Sequence, residues 1–326
     1  MKKNFGLLFG FLLIAFTAFA QENDFEPHGK PVLRIFSNYH ATLEGGETAQ
    51  AFELQRVYLG YQHNFSKNLS GQAVLDVGDP GVGGLQMTAY VKNAYLKYKT
   101  GNFSTNFGLI STTQFKVQES AWGYRYIEKS FQDAYKFNSS ADLGISASYK
   151  IGDIISADVI VANGEGYKKI EADSTFRTGF GLTLTPINGL TVRGYYDFST
   201  NEVTQSSLAA FIGYEIGFIS IGAEYMKMSN YKFTSNQELN GLSFYSTAKL
   251  GDKLKVFGRF DNLSSNVLAG ETEAWQLSKD GQLYIAGLEF SPVKGVKLAP
   301  NFQGWNPADG SESFISTFIL NCEVKF

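Results

Sequence analysis

Little in this chain invites covalent or metal chemistry. Cys322 is its only cysteine, so no internal disulfide can form. A free cysteine ordinarily packs as a small apolar side chain, and that is the role expected here. The three histidines, His28, His40 and His63, stand at no metal-binding spacing such as H-x-x-x-H. No G-x-S-x-G elbow occurs, because Gly144-Ile145-Ser146-Ala147-Ser148 lacks the second glycine. Asp79-Pro80-Gly81 reads as a turn, since the further spaced carboxylates of a calcium loop are missing. No metal or other cofactor is expected. The formal net charge is −3, from 28 basic and 31 acidic residues, so the basic excess of a nucleic-acid binder is missing too. After residue 20 no run of about 18 apolar residues exists, which excludes a transmembrane helix and leaves a membrane β-barrel open. Prolines number only seven, which leaves room for long uninterrupted β-ladders.

What the chain has is aromatic residues, 28 phenylalanines and 18 tyrosines, and these favour strands. Lys2 and Lys3 precede an apolar run from 5 to 19, and Ala18-Phe19-Ala20 fits small-x-small cleavage. Residues 1–20 are therefore expected to be a secretory signal peptide, with one domain spanning 21–326. Loss of Lys2 and Lys3 takes the net charge from −3 to −5. No cysteine follows the apolar run, so lipoprotein anchoring is not expected. At the other end, Phe314, Ser316, Phe318, Leu320, Cys322, Val324 and Phe326 share one strand parity. Ile315, Thr317, Ile319, Asn321, Glu323 and Lys325 share the other. Side chains alternate between strand faces, so one face suits lipid and the other turns polar. A terminal alternating strand closing on an aromatic is similar to the assembly signal of bacterial outer-membrane barrels.

Alternation recurs from Pro31 onward. Leu190, Val192, Tyr196 and Phe198 form an outward set against Thr191, Arg193, Tyr195 and Asp197. Leu208, Ala210, Ile212, Tyr214 and Ile216 oppose Ser207, Ala209, Phe211, Gly213 and Glu215, and Leu254, Val256 and Phe260 oppose Lys255, Arg259 and Asp261. A soluble sandwich alternates too, so periodicity alone does not decide. The connections do. Seven short turns (67–68, 100–102, 151–153, 186–189, 217, 251–252 and 292–295) alternate with eight longer polar links. The links are 42–50, 78–87, 111–139, 163–175, 199–204, 229–239, 262–281 and 305–312. This implies an all-β transmembrane antiparallel barrel of about sixteen strands, with tight periplasmic turns and longer external loops. Lys92 spoils the pattern, sharing a parity with Ala94, Leu96 and Tyr98; a bulge or a rim position would account for it. Phe36 and Ile285 fall on the inward set.

The longest link, 111–139, is third in order and carries Lys116, Glu119, Trp122, Arg125, Tyr126, Glu128, Lys129, Asp133 and Lys136. A loop of this length in a compact domain is functional or disordered, and its aromatics argue against disorder. Phe52-Glu53-Leu54-Gln55-Arg56-Val57-Tyr58-Leu59-Gly60 and Trp122-Gly123-Tyr124-Arg125-Tyr126-Ile127-Glu128-Lys129 resemble the phosphate-selective porin O and P family. The resemblance implies a homotrimeric outer-membrane porin whose third external loop folds into the lumen. It also implies phosphate or other anions as solutes, selected by arginine and lysine ladders. Here no continuous basic ladder can be placed. Inward bases (Arg34, Arg56, Arg177, Arg193, Lys249, Lys255, Arg259 and Lys297) are matched by inward acids (Asp76, Asp142, Asp197, Glu215, Glu224, Asp261 and Glu289).

The expected function is passive diffusion of small hydrophilic solutes across the outer membrane, with mild anion preference and no enzymatic step. The expected constriction comprises Arg56, Lys116, Glu119, Trp122, Arg125, Glu128, Lys129 and Arg193. The competing role for each arginine is structural pairing with lumen acids such as Asp197. A closed-lumen barrel acting as an outer-membrane enzyme or structural protein is the alternative.

Overall fold

The structure is a computed structural model describing residues 25–78 and 87–326. The segment 1–20, the Asp79-Pro80-Gly81 turn and most of the 78–87 link lie outside the described residues. Sixteen strands follow one another: β1 (His28–Glu44), β2 (Glu47–Asn64), β3 (Leu69–Gly78), β4 (Thr88–Thr100), β5 (Phe103–Ser111), β6 (Ala141–Ile151), β7 (Ile155–Ala162) and β8 (Arg177–Leu184). Then come β9 (Leu190–Thr200), β10 (Thr204–Ile216), β11 (Ile219–Ser229), β12 (Glu238–Lys249), β13 (Leu254–Ser265), β14 (Gly281–Phe290), β15 (Val296–Pro307) and β16 (Ile315–Lys325). Each pairs antiparallel with its sequence neighbours, and β16 closes on β1, with Leu320 opposite Tyr39 and Val324 opposite Ile35. Closure leaves no sheet edge at membrane depth, the condition for strands to cross lipid. No described helix is long and apolar enough to cross a membrane.

The alternation sets the faces as the residue pattern predicts. Along β9, Arg193, Tyr195, Asp197 and Ser199 are buried, while Tyr196 and Phe198 are exposed on the outside. Along β10, Ser207, Ala209 and Phe211 are buried and Leu208 and Ile212 are exposed. Large apolar residues exposed on outward parities, among them Leu59, Leu75, Phe107, Ile145, Phe180, Leu242, Phe318 and Leu320, form the lipid-facing surface of such a barrel. Ile212→Arg is therefore expected to destabilise the barrel by about 2–4 kcal/mol. Thr191→Arg, on the opposite parity, should leave stability near wild type and lower conductance. Folding titrations in lipid vesicles check the pair.

All seven short turns are present, but two expected long links are not. Between β1 and β2 only Gly45 and Gly46 remain, with φ of +56° and +88°, a turn that glycine adopts without strain. Between β9 and β10 only 201–203 remain. In both places strand pairing runs on, to Glu44 opposite Glu47 and Thr200 opposite Thr204. Polar residues there signal a continued hairpin instead of a loop, since pairing continues where alternation has no apolar phase to sort.

Lys92 is explained by a β-bulge. The β3–β4 register steps from Val74↔Asn93 to Leu75↔Val91, leaving Lys92 unpaired and turned inward beside Asn93. A second bulge in β2 steps from Phe36↔Arg56 to Ser37↔Leu54, with Gln55 the extra residue. Phe36 and Ile285 are inward and buried, covered by the link that follows β5.

Candidate functional site

Two short helices lie in the link 112–140: α1 (Lys116–Trp122) and α2 (Phe131–Ala134). The aromatics of this link pack on inward-parity side chains. Trp122, Tyr124, Tyr126 and Ile127 cluster with Phe36 of β1, Phe211 of β10, Tyr245 of β12, Phe257 of β13 and Ile285 of β14. Phe131 and Phe137 cluster with Tyr195, Met226, Met228, Leu239 and Leu263. Polar contacts pin the backbone to the same wall. Asn321 donates to the Tyr126 carbonyl at 3.1 Å, Tyr245 to that of Gln118 at 3.3 Å, and Arg193 to that of Thr113 at 2.8 Å. Arg259 donates to the carbonyl of Lys129, and Gln132 donates to Glu224 at 2.9 Å. The Tyr126 hydroxyl donates to Glu289 at 2.9 Å; burial first and that carboxylate second hold the phenol protonated, well above its ordinary range.

Packing thus fills the β9–β15 side of the barrel and leaves two chambers on either side of α1. The first, about 630 Å³, is lined by Lys30, Arg34, Lys325 and Phe326 towards the short-turn end and by Lys92, Arg125 and Ser140 at its inner end. The second, about 690 Å³, runs from Gly189 and Ser220 up to Thr113 and Arg193. Lys116 and Ser120 face both. The first chamber is strongly cationic, with Lys30, Arg34, Lys92, Lys116, Arg125 and Lys325 against the single side-chain acid Glu119. Arg34 pairs with Glu323 at 3.3 Å and Arg125 with Asp133 at 3.5 Å. Among the described residues, Lys30, Lys92, Lys116 and Lys325 have no carboxylate in ion-pair contact.

The expected constriction residues do not all meet. Arg56 lies beside Asp76 at 3.1 Å and donates to the Tyr58 hydroxyl at 3.0 Å. It shares electrostatic reach with Lys92, Arg125 and Lys129. Burial pulls the Lys129 amine below its ordinary pKa, Asp133 opposing and Arg125 adding to the effect. Glu119 lines the first chamber. Glu128 folds back on the Lys129 amide at 2.8 Å. Trp122 lines neither chamber: it is 1% exposed, donates to the Glu128 carbonyl and carries the Arg259 guanidinium 5.0 Å above its ring.

Arg193 is also tied down, gripping Asp158 with both terminal nitrogens at 2.6 and 3.1 Å. Its partner is Asp158 and not its strand neighbour Asp197, which pairs with Arg177 at 3.7 Å. The reason is Gly181, which lies between them on β8. A Cβ there would fall 2.3 Å from the Arg193 guanidinium and 2.6 Å from the Asp158 carboxylate. The missing side chain is the passage through which Arg193 crosses β8. Lys92 was not among the expected constriction residues, although its parity violation signalled the bulge that turns it inward.

His40 contacts Asn38 at 3.0 Å and His28 contacts Asn64 at 2.9 Å, and among the described residues none of the three histidines hydrogen-bonds a serine or a carboxylate.

No protein-family profile matches the sequence, and no curated protein does. Solved structures do match in fold. OprB of Pseudomonas putida, 11% identical, superposes with a TM-score of 0.72 over 91% of this chain and 94% of its own. The outer-membrane channel DcaP of Acinetobacter baumannii, also 11% identical, gives 0.65 over 92% and 97%. The trimer form of in-vitro folded OmpT, an outer-membrane protein of Vibrio cholerae, is 15% identical and gives 0.61 over 91% and 99%. At these identities the likeness is one of fold, and the fold is the sixteen-stranded barrel of outer-membrane porins.

Proposed function

We propose that the chain is a passive porin of a bacterial outer membrane, through which small hydrophilic solutes diffuse with mild anion preference. The observation that carries this reading is the first chamber, a water-accessible space of about 630 Å³ whose walls present six cationic side chains and one acidic one. Fixed charge on narrow low-dielectric walls raises the local concentration of the opposite ion. The 112–140 link serves as the third external loop and supplies the filter, with Lys116, Glu119 and Arg125 on its surface and Lys92 on the wall, while Arg56, paired with Asp76, lines neither chamber. Arg193, held by Asp158 and Thr113, and Trp122, held in the apolar packing, fix the link in place instead of meeting solute. A homotrimer is proposed because the fold is shared with a protein solved in a trimer form. Phosphate is one candidate among the anions, without the dedicated ladder of a phosphate-selective porin.

Lys92→Gln with Lys116→Gln tests the reading cleanly, since neither residue is ion-paired and no acid is stranded by its loss. Two positive charges leave the path, so the reversal potential in a salt gradient should move towards cation preference while the barrel keeps its heat-modifiable mobility. An unmoved reversal potential would remove these lysines from the solute path.

A second reading, a barrel with a closed lumen, draws on the apolar packing of the β9–β15 side. It predicts no steady current from folded protein in a planar bilayer.

A further inference from the structure

The link 163–176, between β7 and β8, sends Tyr167 over Lys92, a residue that lines the first chamber. Its ring lies on the ammonium of Lys92, 4.1 Å from nitrogen to ring centroid. The same ring meets Tyr90 of β4 at 5.8 Å, and the Lys168 ammonium sits 4.7 Å over the Tyr90 ring. The Tyr167 hydroxyl reaches Asp76 of β3 at 3.5 Å, and Asp76 is the partner of Arg56. Lys92, Arg56 and Asp76, all contributed by β2, β3 and β4, therefore converge beneath one aromatic side chain from a distant link.

The backbone under Tyr167 is held by close hydrogen bonds, and its side chain by weaker contacts. The Tyr167 amide donates to the Ala141 carbonyl at 3.0 Å, and the Gly164 amide to Asp142 at 2.7 Å. Gly166, at φ +84°, is packed so closely that a Cβ would fall 2.5 Å from the Ser139 side chain. By contrast the hydroxyl contact to Asp76 is at the long limit of a hydrogen bond. Among the described residues the ring is otherwise held by cation–π and ring–ring contacts, each individually weak. Beside it the Tyr90 hydroxyl faces the Asp76 carboxylate, so the ring covers a polar cluster of Asp76, Arg56 and Tyr90.

We infer that Tyr167 is a specificity-determining residue of the pathway: a hinged aromatic lid on Lys92 that sets the size of anion allowed through the first chamber. An arriving anion takes the ring's place on the Lys92 ammonium, and the ring swings away from Asp76 and Tyr90. This rests on the porin reading and adds to it a second link, besides 112–140, that filters solutes.

The experiment compares single-channel conductance, and the permeability of gluconate relative to chloride, for wild type, Tyr167→Ala and Tyr167→Phe in planar bilayers. Removing the ring should raise conductance about twofold and increase the gluconate share, because the aperture widens. Tyr167→Phe keeps the ring and should stay near wild type, which a purely structural role for the hydroxyl would not give. Should Tyr167→Ala fail to fold, Tyr167→Cys in a Cys322→Ser background supplies the same reading: a bulky neutral thiol reagent should bring its raised conductance back down. Unchanged conductance and permeability ratio in a conducting alanine variant overturn the lid alone. Absence of current from folded wild type and variant alike overturns the porin reading, and the lid with it.

Discussion

Arg259→Leu is expected to destabilise the folded barrel by about 3–5 kcal/mol, the cost of stranding a buried charge. Arg259 and Asp261 are neighbours on the inward face of β13, 1% and 0% exposed at their side chains, bridged at 2.8 and 2.6 Å. Leucine would leave the Asp261 carboxylate in the packed side of the barrel without its guanidinium, facing only neutral hydroxyls among the described residues, Ser243 at 2.6 Å and Tyr135. The same guanidinium donates to the Lys129 carbonyl and covers the Trp122 ring, so its loss also frees the 112–140 link from β13. Adding Asp261→Asn removes the stranded charge and should recover most of the loss, because breaking an ion pair costs more than neutralising both partners. Denaturant titration of the vesicle-inserted barrel measures both variants. A single variant as stable as wild type would mean that the pair is not enclosed as described.

Shortening the link by excising 118–135 should at least about double the single-channel conductance and admit larger solutes, since conduction follows the free cross-section. It removes Trp122, Tyr124, Tyr126 and Phe131, whose burial covers Phe36, Phe211, Tyr245 and Phe257. Those inner-wall aromatics would then face water, so a lower denaturation midpoint should accompany the wider pore. Solute-swelling assays on proteoliposomes with sugars of increasing size give the second readout. Conductance unchanged in the folded deletion variant would place the filter elsewhere.

The architecture was legible because apolar residues recur on one parity of strand after strand and face outward, even where the inward parity also carries apolar residues such as Phe36, Phe211 and Ile285. Where that recurrence stops, legibility stops with it. The β1–β2 and β9–β10 hairpins continue pairing through polar residues, so their ends read as loops. Lys92 broke the pattern, and the break was informative: a bulge had shifted the phase by one residue. The bases and acids of the lumen were also visible, but their partnerships were not. Arg193 pairs two strands away because Gly181 leaves the space, and no linear spacing encodes that diagonal. Trp122 shares a motif with Arg125, yet one is buried on Phe257 and the other lines a chamber. On an irregular link there is no period to say which way a side chain points. Tyr167 was invisible for the same reason.

The most direct measurement is the current through the purified, unmodified protein in a planar bilayer under a potassium chloride gradient. The account predicts stepwise, ohmic channel openings with a reversal potential displaced modestly to the anion side. Folded, heat-modifiable barrel that inserts and passes no steady current would contradict it.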